Sequence, residues 1–146
     1  MGETINTIGF AKKSLRQFIK LLKEAGVTKV VDTRLNNTSQ LSGFAKKQDL
    51  EYILELVDIK YIHTPTLAPS DYILKSYKKK EMTWDEYEIE YNELIEKRKI
   101  LPLVKKLIED DNVCFLCSEH QHTHCHRRIL TDYIQSSLKN IKVNHL

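Results

Sequence analysis

Short, β-branched apolar runs alternate along this chain with stretches whose apolar residues recur at helical spacing, and that alternation constrains the fold more than any other feature. Thr4 to Phe10 is strand-like and reaches its punctuation at Gly9. Leu15, Phe18, Ile19 and Leu22 then keep the i, i+3, i+4, i+7 rule of one buried helix face, with Ser14 placed to cap its start and Gly26 to stop it. Val27 to Thr33 reads as a buried strand, because Val27, Val30 and Val31 leave little polar face. Gln48 to Val57 is helical again, with Leu50, Ile53, Leu54 and Val57 on one stripe, and Ile59 to His63 is a third short strand closed by Thr64-Pro65. Strand, helix, strand, helix, strand at this spacing predicts right-handed βαβ units and a parallel sheet.

The middle third interrupts that rhythm. Asp71 to Lys80 and Thr83 to Lys99 are charged and helical in period, and Trp84, Tyr87, Tyr91, Leu94 and Ile95 share a stripe. Thr83 with Glu86 forms a capping box, and Pro102 opens a further helix through Ile108. Asn112 to Cys117 predicts the fourth strand, Cys125 to Leu138 the last long helix, and Ile141 to Leu146 a closing edge strand. The expected architecture is a three-layer α/β/α sandwich with a mainly parallel, Rossmann-like sheet of about five strands. A helical insertion follows the third strand, and residues 1–146 are expected to form a single α/β domain.

With 41% hydrophobic and 29% charged residues, the composition is that of an ordinary globular protein, and the net charge of +3 permits an anionic partner without requiring one. Nothing resembles a secretory leader, and no apolar run approaches the roughly 20 residues of a membrane helix. These features predict a cytoplasmic protein with no membrane partner, whose three cysteines are reduced.

Reactive side chains concentrate between Leu116 and Arg128, which holds two of the three cysteines and four of the six histidines. The segment joins a strand's C-terminal end to a helix N-terminus, where α/β proteins build binding sites. Other strand ends are polar too: Asp32 and Arg34 on the second, His63 on the third, Cys117 and Glu119 on the fourth. In a parallel sheet these ends share one edge, although Asp32 and Arg34 are equally suited to tying down a loop. Cys114-x-x-Cys117 looks like a metal or redox motif, but residues i and i+3 of a strand face opposite ways, about 10 Å apart. Cys114 is therefore read as a small core residue. Cys117 and Cys125, with His120, His122, His124 or His126, make a better zinc set, but the spacing matches no common structural zinc motif. No metal or other cofactor is assigned. Cys125 opens the last helix beside His126 and Arg127, where the helix dipole and a cation favour a thiolate or hold an anion. The Trp84/Tyr87/Tyr91 stripe suits core packing more than base stacking, and Lys12-Lys13, Lys46-Lys47 and Lys78 to Lys80 suit a solvated surface more than phosphate contact.

The chain resembles the domain of unknown function 488 family, small α/β proteins of bacteria and archaea. The likeness is carried by Thr7-Ile8-Gly9-Phe10, Val30-Val31-Asp32-Thr33-Arg34, Tyr61-Ile62-His63 and the Trp84 helix. It continues through Leu116-Cys117-Ser118-Glu119, Cys125-His126-Arg127-Arg128 and Val143-Asn144-His145-Leu146. The resemblance implies a shared site made of Asp32, Arg34, His63, Cys117, Glu119, Cys125, His126 and Arg127, and no established reaction. The sequence departs from the family pattern at Phe10-Ala11 and at Leu35 to Gln40, which lacks the basic, proline-containing character common there. Less positive charge at that loop argues against strong polyphosphate binding.

The leading expectation is an enzyme, or an enzyme-derived pocket, for a small anionic or nucleotide-like ligand. Arg34 and Arg127 would clamp the anion, with Asp32 beside them. Glu119, His63 or His126 would move protons, and Cys125 or Cys117 would be the nucleophile in covalent chemistry. The alternatives are a non-catalytic nucleic-acid-binding module and a structural domain with a Cys117/Cys125 zinc.

Overall fold

The computed structural model describes residues 3–35, 47–117 and 125–146. Five strands, β1 (Glu3–Gly9), β2 (Lys29–Asp32), β3 (Lys60–His63), β4 (Val113–Cys117) and β5 (Ile141–His145), form one sheet in the order β3-β2-β4-β1-β5. Every pairing is parallel, and the closing strand β5 takes one edge. Six helices accompany them among the described residues: α1 (Leu15–Glu24), α2 (Lys47–Leu56), α3 (Asp71–Lys78), α4 (Trp84–Arg98), α5 (Leu101–Ile108) and α6 (His126–Ser137). The architecture is the expected Rossmann-like α/β/α sandwich, with α3, α4 and α5 as the helical insertion after β3.

Strand order decides which face each helix covers. The chain steps from β1 to β2 to β3 in one direction across the sheet, then returns through β4 to β5 in the other. Right-handed crossovers place the first two connecting helices on one face and the later ones on the opposite face. Phe18 and Leu22 of α1 and Leu50 and Leu54 of α2 accordingly pack on Ile8, Val30, Cys114 and Leu116. On the other face Tyr91 of α4, Val104 of α5 and Leu130 of α6 pack on Ile5, Val31, Val113 and Phe115. The period of two along β2 and β4 deals alternate residues to the two cores.

The local signals work as the chemistry requires. Ser14 caps α1 through Gln17, and the Gln17 side chain returns a bond to the Ser14 N–H. Gly26 follows α1 at φ +69°, letting the Gly26 and Val27 N–H groups bond back to Lys23 and Leu22. Thr83 and Glu86 form the reciprocal capping box of α4. The aromatic stripe is core: Trp84 stacks on Tyr87 at 4.7 Å, and the buried Tyr91 hydroxyl donates to Leu67 O at 2.6 Å. None of the helices among the described residues is long and apolar enough to cross a membrane.

β4 lies between β1 and β2, with Gly9 in register with Cys117 and Asp32 with Leu116. The connections leaving β1 and β2 go to one face and the connection leaving β4 goes to the other. The C-terminal end of β4 is thus the topological switch point, where diverging loops leave a crevice.

Candidate functional site at the end of the fourth strand

Two groups of side chains assemble at this edge, one on each side of the sheet. The first is built on Asp32. By alternation its side chain follows that of Val30, towards α1 and α2, and it is fully buried. Arg34 closes on it as a two-pronged pair, Nε to Oδ1 at 2.8 Å and Nη2 to Oδ2 at 2.7 Å, and the Arg34 N–H adds a bond of 3.1 Å. The Tyr61 hydroxyl donates to Oδ2 at 2.6 Å. The carboxylate therefore holds four donors, enough to compensate burial of its charge. Arg34 also lies over the Phe10 ring, its guanidinium carbon 5.1 Å from the ring centre. The His63 Nε2–H donates to Arg34 O at 2.7 Å. Two prongs of the Arg34 fork thus face a carboxylate of the same chain, so Arg34 serves first to orient the β2 end.

The second group faces α6. Thr33 donates its hydroxyl to Leu116 O at 2.8 Å and so presents an oxygen lone pair to His126 Nε2 at 2.9 Å; Thr33 O lies 3.0 Å from the same nitrogen. A carbonyl oxygen only accepts, so Nε2 carries the proton and Nδ1 is the open lone pair. That Nδ1 faces Cys125 Sγ at 3.9 Å. Burial, reinforced by the Arg127 charge, lowers the His126 pKa to about 4 against the bond to Thr33 and the charge of Asp32. The ring is therefore neutral at physiological pH and is a hydrogen-bond acceptor for a Cys125 thiol. It packs edge-on against Tyr91, ring centres 5.6 Å apart, which fixes its plane.

Cys125 is the N-cap of α6, with extended backbone and no side-chain cap bond. Its sulfur meets that of Cys117 at the end of β4: the two sequence segments deliver both sulfurs to one point. A sulfur held in a disulfide is not available as a thiolate ligand, so a Cys117/Cys125 zinc would require both thiols to be free. Cys114 is the one free cysteine; it lies in the opposite core, where burial pushes its thiol pKa well up. Alternation along β4 thus separates Cys114 from Cys117, as the strand argument predicts.

Arg127, the residue after His126, is 1% exposed and is among the largest fully buried side chains. Its charge reaches Cys114 on β4, His126 on α6 and Lys13 in the β1–α1 loop. The half-buried Lys13 ammonium has its pKa lowered by burial and then by Arg127. Cations from the β1–α1 loop and from the first turn of α6 therefore lie within electrostatic reach of each other. Arg128 points instead to the surface of α4, pairing with Glu88 and with Asp132 of its own helix.

The structure thus brings Asp32, Arg34 and His63 into one group and Cys117, Cys125 and His126 into another, joined across the sheet edge by the influence of Asp32 on His126. Glu119, His120, His122, His124 and Lys46 lie outside the described residues. Two contributors went unread in the sequence. Thr33 carries no signal beyond its place between Asp32 and Arg34. Tyr61 has the period-two relation to His63, which alone did not mark it as a partner for Asp32.

The Domain of unknown function DUF488 family profile matches residues 14–134. The chain belongs to this family. Membership covers α1 through most of α6, including both groups of the site, and brings no established reaction with it. No curated protein and no solved structure matches the chain.

Proposed function

We propose that this DUF488 protein binds a small anionic, phosphate- or carboxylate-bearing ligand in the crevice at the end of β4, with Cys125 as the nucleophile when its thiol is free. One observation carries the reading. Thr33 holds the Nε2–H tautomer of His126, which turns the Nδ1 lone pair towards Cys125 at the start of α6. A nucleophile, an acceptor for its proton and a third group that orients the acceptor are the parts of an activated cysteine. The N–H groups of the first turn of α6 and the Arg127 charge favour negative charge there, whether on the sulfur or on a bound oxyanion. Asp32 and Arg34 hold the end of β2, and His63 lies beside them, bonded through Nε2 to Arg34 O.

The test is iodoacetamide labelling of the reduced, full-length protein between pH 5 and pH 9. Cys125 is expected to ionise below the roughly 8.5 of an ordinary thiol, and inorganic phosphate should slow its labelling. An ordinary ionisation, together with no protection by phosphate, refutes the reading. The nucleic-acid alternative rests on the net charge of +3 and the lysine clusters, and a salt titration of binding tests it.

A further inference from the structure

We propose that Cys117 and Cys125, whose sulfurs meet, form a disulfide that acts as a redox lock on the site, opened and closed by exchange with a cellular dithiol–disulfide couple. The inference rests on the reading of Cys125 as a nucleophile and adds its regulation. The observation beneath it is that the sulfur meeting that of Cys117 is the same one that faces His126 Nδ1 at the start of α6. Locked, Cys125 neither attacks nor offers a proton to His126. Opened, it does both.

Two features separate a lock from a structural staple. Both anchors are already placed without it. Cys117 ends a strand paired in register with Gly9 of β1. Cys125 precedes a helix seated in the core by Ile129, Leu130 and Ile134 and tied to β2 through His126 and Thr33. In addition, the bond spans a sequence separation of only 8, and short closed loops restrict the unfolded chain least. A bond that adds little to a framework already held, yet covers a reactive sulfur, is suited to control.

The exchange balances. One thiolate of the dithiol attacks Sγ of Cys125, the residue that is 4% exposed against none for Cys117. The Cys117–Cys125 bond breaks, its electron pair leaves on Cys117 Sγ, and that sulfur takes a proton. The second thiol of the dithiol then attacks its own mixed-disulfide sulfur, loses its proton, and releases Cys125 as a thiolate facing His126 and the N-terminus of α6. The protein gains two electrons, and the dithiol leaves as its cyclic disulfide. The reverse sequence, with the oxidised couple, closes the lock.

The experiment equilibrates the full-length protein with graded ratios of reduced to oxidised dithiothreitol, quenches in acid, and maps the peptides by mass. Separate aliquots are pulsed with iodoacetamide before quenching. The linked Cys117–Cys125 peptide should dominate at the oxidised end and disappear reversibly at the reduced end, while labelling of Cys125 in the folded protein rises at least tenfold. Cys117→Ser should label at Cys125 at every ratio, with circular dichroism and thermal melting reporting that the variant is folded. The wild-type series needs no mutation and decides the matter if Cys117→Ser fails to fold. A linked peptide missing at the oxidised end, one that opens only in denaturant, or one that opens without changing Cys125 labelling overturns the lock. Failure of the anion site reads differently: reduced wild-type Cys125 would ionise as an ordinary thiol without phosphate protection, whatever the state of the linked peptide.

Discussion

Replacing His126 by Gln isolates the energetic signature of the buried imidazole. The Gln amide N–H can take over the bond to Thr33, while the titrating ring is removed. In the folded protein His126 titrates at about 4, against 6.5 for a free histidine, because burial and Arg127 disfavour its cation. Between those two values the unfolded chain binds the proton and the folded chain does not. Stability therefore rises with pH across that window, is free of this penalty above it, and levels off below about 4. The linkage relation makes the His126 contribution a loss of about 2 kcal/mol between pH 7 and pH 5, and about 3 kcal/mol by pH 3. Urea unfolding of both proteins at pH 7, 6 and 5, in reductant, measures it. His63 and His145 are shared by the two proteins and cancel in the difference. Asp111 has a lowered pKa, owed to its bonds with Lys29, Thr28 and Lys60 against burial, so its contribution is lost only below the window. The wild type should lose about 2 kcal/mol more than His126→Gln between pH 7 and pH 5. Parallel curves would refute the assignment of a neutral, buried imidazole, and with it the acceptor role of Nδ1.

Two further substitutions probe the supports of the site. Asp32→Asn leaves the nearly buried Arg34 guanidinium without its carboxylate and should cost about 3–5 kcal/mol in chemical denaturation; a loss below about 1 kcal/mol, the range of an exposed pair, would show that the pair is not the anchor of the β2 end. Thr33→Val removes both the donor to Leu116 O and the oxygen facing His126, so it should cost about 1–3 kcal/mol and slow iodoacetamide labelling of reduced Cys125; labelling at the wild-type rate would show that Thr33 does not orient the ring.

Much of the fold was legible because its signals are local. Ser14 with Gln17, Thr83 with Glu86 and the left-handed Gly26 each act within one turn of chain, and each works as its residue type predicts. The apolar stripes on α1 and α2 and the near-continuous apolar runs of β2 and β4 report faces that are buried wherever the element is placed. Alternation along β4 alone was enough to separate Cys114 from Cys117. The site was legible to the extent that parallel strands share a C-terminal edge, which drew attention to Asp32, His63 and Cys117 together.

Their working partnerships were not legible. Asp32 and Arg34 are near neighbours along the chain, but Tyr61 joins them from β3 and Phe10 from just beyond β1. His126 was visible as a titratable residue at a helix start. Its tautomer depends on Thr33, 93 positions away in sequence.

The linear order of residues thus determined the identity of the elements, the parallel sense of the sheet, and the stretch of chain rich in sulfur, imidazole and guanidinium. These follow from side-chain period and backbone preference, which act over a few residues. Only the folded molecule decided that β4 inserts between β1 and β2, that the two sulfurs meet, and that Arg127 is buried where its charge is felt from the β1–α1 loop to α6. Those outcomes come from pairing segments far apart in sequence, where the energy of each contact depends on all the others that pack around it.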